Sequence, residues 1–109
     1  MLPSIYRLPK QDFISTMRRG TRTHSEAIQF TYLKTPLTHV RLGMLVTKKF
    51  SKKATERNHI RRQIYMAFLP HMTHTSAGMD VVCKITQPMK NIGFEDIQKQ
   101  IEKFIVSLS

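Results

Sequence analysis

The side chains with the clearest chemistry lie in one basic stretch, residues 41–62, which reads RLGMLVTKKFSKKATERNHIRR and has Glu56 as its only acid. Arginine carries a planar fork of donors that suits phosphate, and asparagine can bond a sugar, a base edge or a phosphate. On a helix, a spacing of four places Arg57 beside Arg61, and these like charges repel unless an anion binds there. The stretch therefore predicts a polyanion-binding surface, with the candidate residues Lys48, Lys49, Lys52, Lys53, Arg57, Asn58, Arg61 and Arg62.

The charge of the whole chain is equally uneven. The 109 residues carry 18 Lys and Arg against 7 Asp and Glu, a formal net charge of +11, and such an excess indicates a polyanionic partner, most often nucleic acid. Residues 63–109 carry four charges of each sign, so the whole excess lies in residues 1–62. Composition does not separate RNA from DNA or from an anionic membrane surface. A solvated charged face would explain an isolated run, but a run that spans a strand, a loop and a helix favours binding.

The hydrophobic pattern predicts a single domain, residues 1–109, that positions these side chains. Apolar residues at helical spacing predict helices, and runs of β-branched and aromatic residues predict strands. The helices are expected at 9–19, 53–69 and 94–108, and the strands at 27–33, 40–47 and 80–86 with an optional short strand at 21–25. Gly20 should end the first helix and Pro70 the second, before a loop at 71–79. The order α-β-β-(β)-α-β-α indicates an α+β fold, a small two-layer sandwich.

The basic stretch resembles the signature of the bacterial ribonuclease P protein component, in which a strand ending in Lys-Lys is followed by an Arg-Asn-Arg helix. The resemblance extends along nearly the whole chain, with Arg7-Leu8, Asp12-Phe13 and Arg19-Gly20 upstream and Asp80-Val81-Val82 and Phe94 downstream. Within the stretch, the matching positions are Arg41, Leu42, Gly43, Val46, Lys48, Lys49, Lys52, Ala54, Arg57, Asn58, Ile60, Arg62 and Ile64. His59 departs from the pattern because the family usually has arginine there. Met17 replaces a usual aromatic residue, and Gln87-Pro88 stands where Arg-Pro is common.

The resemblance implies a left-handed βαβ crossover at the basic helix, which is rare because about 98% of such crossovers are right-handed. It also implies that the basic stretch, now including Arg41 and His59, binds a catalytic RNA, with a weaker or pH-sensitive contact at His59. A separate cleft between the first helix and the sheet would bind the single-stranded 5′ leader of precursor tRNA. The expected cleft residues are Phe13, Met17, Phe30 and Tyr32. Unpaired bases can stack on the three aromatic rings, whereas Met17 offers a softer apolar contact. The alternative for Phe13 is that it packs in the core.

In this family the RNA supplies phosphodiester hydrolysis with Mg²⁺, so we expect a ribonuclease P subunit with no catalytic residue, cofactor or metal of its own. Single Cys83 and the lack of a long apolar run favour a cytoplasmic protein, and Cys83 alternates within a strand as a core residue would. Two other classes stay open, a structural ribosomal RNA-binding protein and a protein-only nuclease. The pair His71 and His74 lacks a recognisable zinc spacing, and Glu95-Asp96 at a helix start suits the helix dipole.

Overall fold

In a computed structural model, the described part of the chain forms four strands and three helices. The model describes residues 4–25, 27–73, 77–86 and 93–108. The helices are α1 (Lys10–Arg19), α2 (Ala54–Thr73) and α3 (Phe94–Ser107), and a short 3-10 helix, Ser4–Tyr6, precedes them. The strands are β1 (Thr21–His24), β2 (Gln29–Lys34), β3 (Val40–Val46) and β4 (Met79–Ile85). The predicted α+β class and order of elements, including the optional first strand, are confirmed.

The four strands form one mixed sheet in the order β1-β2-β4-β3. β1 with β2 and β2 with β4 are antiparallel, whereas β3 and β4 are parallel, from Val40 opposite Met79 to Val46 opposite Ile85. Since a parallel pair needs a long connection, α2 runs between β3 and β4 as the crossover of a βαβ unit. The left hand of this crossover stays a prediction of the resemblance.

One face of the sheet carries α2 and α3 and holds the hydrophobic core. Strand side chains alternate between the two faces, and the inward set includes Phe30, Leu42 and Cys83, each no more than 1% exposed. The rings of Phe30 and Phe104 stack with centroids 4.3 Å apart, and Phe68 meets both edge-on. The sheet with α2 and α3 forms the two predicted layers, to which α1 adds a third on the opposite face. The expectation that Cys83 lies in the core is confirmed.

The opposite face of the sheet carries α1. The Phe13 ring lies so close to β3 that a Cβ at Gly43 would come within 2.7 Å of it, so Gly43 permits this packing. Farther along the helix, Thr16 is fully buried, and a Cβ at Gly20 would lie 2.9 Å from a methyl of Thr31 in β2. The helix therefore crosses the sheet from β3 towards β2 and leaves part of this face uncovered.

The prediction that Pro70 ends the second helix is wrong, because α2 continues to Thr73. A proline inside a helix costs about 3 kcal/mol. The following turn places Met72 in the core at 1% exposure, and burying a methionine side chain contributes roughly 1.5–3 kcal/mol. Packing of Met72 thus offsets much of the cost of the proline, and the predicted loop at 71–79 begins later than expected.

Candidate nucleic-acid interface

The connection between β3 and α2 is a tight turn that exposes two lysines. The Thr47 N–H donates to the Ile85 carbonyl at 3.1 Å, and the Phe50 N–H donates to the Thr47 carbonyl at 3.0 Å. Phe50 packs half-buried against the core, whereas Lys48 and Lys49 are exposed. The parallel pairing of β3 with β4 therefore fixes the base of this turn, and the apolar Phe50 side chain holds its end.

Ser51 joins the second half of the connection to the first turn of α2. Its hydroxyl donates to Glu56 Oε2 at 2.7 Å and its Oγ accepts from the Lys53 N–H at 3.2 Å. Its carbonyl accepts from Arg57 Nη1 at 2.9 Å. Lys52 and Lys53 are exposed beside this network. A serine oxygen that satisfies a backbone N–H near a helix start is a common way to order such a start.

The first half of α2 turns its polar side chains away from the core. Ile60 and Ile64 are buried against the sheet, so Asn58, His59 and Arg62 on the other side are exposed. Arg57 and Arg61 are half-buried at the flank of the helix. Arg61 Nη1 donates to Asn58 Oδ1 at 2.8 Å, an i, i+3 contact within one helix. The contact orients the guanidinium and leaves most of its donors for a ligand.

The exposed and half-buried polar side chains of the connection and of the first half of α2 are here called the basic face. Its members are Lys48, Lys49, Lys52, Lys53, Arg57, Asn58, His59, Arg61 and Arg62. Residues 48–62 hold seven Lys and Arg and one acid, a net charge of +6. Within the described residues, its single ion pair joins Lys53 Nζ to Glu56 Oε1 at 3.9 Å on the exposed surface. The neutral partners of Arg57 and Arg61 leave their charge intact, so the basic face carries a strong positive potential that attracts polyanions.

Arg41 differs from the residues of the basic face because it is held in ion pairs, and its predicted role in binding RNA stays a prediction. Its guanidinium forms two bonds to the Asp80 carboxylate, at 2.9 and 2.8 Å, and a third contact to Asp12 at 3.2 Å. The Arg41 side chain is 16% exposed and that of Asp80 is 4% exposed. The hydrogen bonds to Asp80 raise the pKa of Arg41. Arg41 links β3 to β4 and to α1, and the carboxylates of Asp80 and Asp12 neutralise its charge.

The predicted leader cleft has two residues on the face of the sheet that carries α1. Phe13 is half-buried on β3 at Gly43, which combines partial packing with partial exposure. Met17 is half-buried one helical turn further on, and its carbonyl accepts from Arg22 Nη2 at 3.4 Å. Their role in binding a leader stays a prediction.

Phe30 and Tyr32 do not belong to that cleft. Phe30 is 1% exposed in the core, and Tyr32 packs edge-on against Phe104 with ring centroids 5.6 Å apart. Both therefore face α3, on the side of the sheet opposite to α1. The prediction that they contribute to a cleft beside α1 is wrong, because alternation along β2 points both of them into the other layer.

The sequence reasoning missed the strand residues that do share a face with α1. In the register of the sheet, Gln29 lies opposite Lys84, and Lys84 lies beside Leu45. The neighbours of these residues along the strands, Phe30 and Cys83 among them, face the core, so this row faces the α1 side. Gln29 and Lys84 are half-buried and Leu45 is 36% exposed. Phe13, Met17, Gln29, Leu45 and Lys84 are here called the α1-side surface.

The other residues that the sequence suggested for chemistry are a cysteine and two histidines. Burial raises the pKa of the Cys83 thiol far above its usual range, which suppresses the nucleophilic thiolate. His71 lies on α2, whereas His74 and the Gln87-Pro88 pair lie outside the described residues. Within the described part of the chain, His, Cys, Asp and Glu form no group of three or more that could hold a metal ion. The same residues contain no helix that is long and apolar enough to span a membrane.

The fold and the basic face define a small α+β protein whose crossover helix and loop carry a large uncompensated positive charge. The family described as Ribonuclease P matches residues 2–109. The chain therefore belongs to the ribonuclease P protein family, which confirms the resemblance seen in the sequence. A ribonuclease P protein component of Synechocystis is 31% identical over 104 residues, covering 94% of this chain and 84% of that protein. The corresponding protein of a Pseudanabaena strain is 25% identical over 107 residues, covering 96% and 92%.

Solved structures show the same fold. A Staphylococcus aureus RNase P protein, described as a mutant with defective mRNA degradation activity, superposes with a TM-score of 0.83 at 26% identity, over 95% of this chain and 88% of that one. The RNase P protein of Thermotoga maritima superposes with a TM-score of 0.79 at 23% identity, over 94% and 97%. The arrangement of three helices on a four-stranded mixed sheet is thus the family fold.

Proposed function

We propose that this chain is the protein subunit of a ribonuclease P and that its basic face binds the catalytic RNA. The observation that carries the proposal is the net charge of +6 over residues 48–62 with one weak surface ion pair. A face with so many unpaired cations releases counterions when phosphates replace them, which is the main source of affinity for nucleic acids. Membership of the ribonuclease P protein family supports RNA as the partner.

The α1-side surface is proposed to bind the single-stranded 5′ leader of precursor tRNA. Phe13 and Met17 offer partly exposed apolar groups for unpaired bases, and base stacking on an aromatic ring contributes roughly 1–3 kcal/mol per base. Lys84 supplies a cation for the backbone and Gln29 an amide. Because α1 and α2 lie on opposite faces of the sheet, the sheet separates the two proposed RNA contacts. One protein would then bind the catalytic RNA and the 5′ leader at the same time.

Hydrolysis of the phosphodiester is assigned to the RNA, with Mg²⁺ bound there rather than to this chain. The protein would then neutralise phosphates, maintain the fold of the RNA and extend the contact with substrate to the leader. A cytoplasmic location belongs to the same proposal, since the RNA partner and the precursor tRNA would be met there.

Cleavage of precursor tRNA at low magnesium tests the proposal in three reactions, with catalytic RNA alone, with protein alone and with both. We expect cleavage at the 5′ end of the mature tRNA when both are present, and little in the other two reactions. Cleavage by protein alone would show a protein-only nuclease. Binding to RNA without any stimulation of cleavage would show a structural RNA-binding protein of the ribosomal kind.

A matched pair of variants separates the basic face from the overall charge of the protein. Arg62→Ala removes one exposed cation from α2, and Lys99→Ala removes one exposed cation from α3. We expect Arg62→Ala to weaken binding to the catalytic RNA and to lower the slope of log K against log salt by about 1. Lys99→Ala should leave both nearly unchanged, and equal effects of the two variants would contradict the assignment of the basic face.

A further inference from the structure

We infer that Ser51 is a positioning residue for RNA binding, one that orders the lysine-rich connection without needing to contact RNA. The inference rests on the proposed function of the basic face and adds a residue that carries no charge. Ser51 lies between Lys48-Lys49 and Lys52-Lys53 in the sequence, within the seven-residue connection between β3 and α2.

Three hydrogen bonds meet at Ser51 and join the connection to α2. The hydroxyl donates to Glu56, the same oxygen accepts from the Lys53 N–H, and the carbonyl accepts from Arg57. The Lys53 carbonyl in turn accepts from the N–H groups of Glu56 and Arg57, both at 3.2 Å. Ser51 thus couples the backbone of the connection to one acid and one base of the helix.

Such coupling is needed because the connection carries four lysines within six residues. Like charges at this density repel one another and favour extended, variable conformations of the chain. A surface that is already ordered in the free protein avoids the entropic cost of ordering on binding, and this preorganisation raises affinity without a new contact. Glu56 therefore has two opposing effects, since its charge weakens attraction for RNA while its carboxylate accepts the Ser51 hydroxyl.

Ser51→Ala tests the inference because it removes the hydroxyl and changes no charge. The variant loses the two hydrogen bonds of the hydroxyl, to Glu56 and from the Lys53 N–H. We therefore expect affinity for the catalytic RNA to fall roughly 5- to 30-fold at every salt concentration. The slope of log K against log salt should stay the same, because no cation is removed. Ser51→Thr keeps a hydroxyl and should restore most of the affinity. Thr55→Ala removes an exposed hydroxyl from the first turn of α2 and serves as the control with no expected change.

Glu56 gives an independent test with a change of opposite sign. Glu56→Gln keeps an acceptor for the Ser51 hydroxyl and removes the acid, so affinity should rise. Glu56→Ala removes both and should bind less tightly than Glu56→Gln. Equal affinities of the two variants would show that the bond from Ser51 does not matter for binding.

Amide hydrogen exchange separates a local effect from loss of the fold. In Ser51→Ala, exchange should accelerate at Lys53 and Arg57 and stay unchanged at Phe30 in the core. Faster exchange throughout, a lower salt slope, or unchanged affinity would each overturn the inference. Weaker binding by Arg62→Ala together with full binding by Ser51→Ala would overturn the role of Ser51 alone, whereas full binding by both variants would overturn the proposed function.

Discussion

Replacing Arg41 with methionine would break the ion pair that joins the central strand β4 to β3. Methionine keeps an unbranched apolar stem and loses the guanidinium, so the change removes the two bonds to Asp80 and the contact to Asp12. The Asp80 side chain, 4% exposed, would then have its carboxylate buried without a cation.

The expected loss of stability follows from the burial of each partner. Removing one member of a buried ion pair costs about 3–5 kcal/mol, because an unpaired charge is left inside the protein. The contact to Asp12 contributes less, since that side chain is 45% exposed and exposed pairs contribute about 0.2–1 kcal/mol. We therefore expect Arg41→Met to cost about 3–5 kcal/mol and Asp12→Asn to cost no more than about 1 kcal/mol.

Urea unfolding followed by circular dichroism at pH 7 measures these differences as a shift of the midpoint at constant slope. Arg62→Met, which alters an exposed arginine, is the matched control and should change stability by no more than about 0.5 kcal/mol. The double variant Arg41→Met with Asp80→Leu should recover most of the loss, because apolar residues can replace a buried pair. A cost below about 1 kcal/mol for Arg41→Met would refute the structural role assigned to this residue.

Four further outcomes are expected. Affinity for the catalytic RNA should fall about 10³- to 10⁵-fold between roughly 50 and 200 mM salt if about 6–10 phosphates are contacted, and a flat dependence would contradict the charge argument. Phe13→Ala should weaken binding of leader-bearing substrate more than binding of mature tRNA; an equal loss for both RNAs, or an unfolded variant, would remove Phe13 from the leader site. His59→Arg adds a cation to the basic face and should strengthen RNA binding, with a salt slope steeper by about 1. Alkylation of Cys83 at pH 8 should be slow in the native protein and fast in urea, because burial raises the pKa of its thiol. Since the thiolate is favoured only in the unfolded chain, stability should fall as the pH rises above about 8.5, and rapid labelling of the native protein would contradict the burial.

The element order was predictable because each element carries its own local pattern. Apolar residues such as Ile60 and Ile64 fall on one side of a helix, and both are buried. The end of α2 was not predictable in this way, since the cost of Pro70 is local but the burial of Met72 that offsets it depends on the finished core. The insertion of β4 between β2 and β3 likewise depends on long-range pairing.

In the candidate site, too, local sequence patterns were predictable, whereas contacts between distant parts of the chain were not. The basic face follows from residues that are adjacent in sequence, so the spacing of its lysines and arginines was sufficient to find it. Arg41 has the same charge, but its partners Asp12 and Asp80 come from distant parts of the chain, and no local pattern reveals them. Phe30 was misplaced because an aromatic residue in a strand suits a core and a stacking surface equally well. The alternation of side chains along β2 and β4 identifies the residues on the α1 side, because it separates Gln29 and Lys84 from their core-facing neighbours Phe30 and Cys83.

The last strand of the sequence, β4, lies between β2 and β3 in the sheet, and this order governs when the basic face acquires its final geometry. A chain emerging from the ribosome exposes all the lysines and arginines of residues 48–62 before any of β4 has left the ribosome. The Thr47 N–H finds its acceptor, the Ile85 carbonyl, only when β4 is complete. Non-local pairing of this kind forms late and slowly. The nascent protein therefore carries its charge early, but the connection between β3 and α2 becomes fully ordered only when β4 joins the sheet.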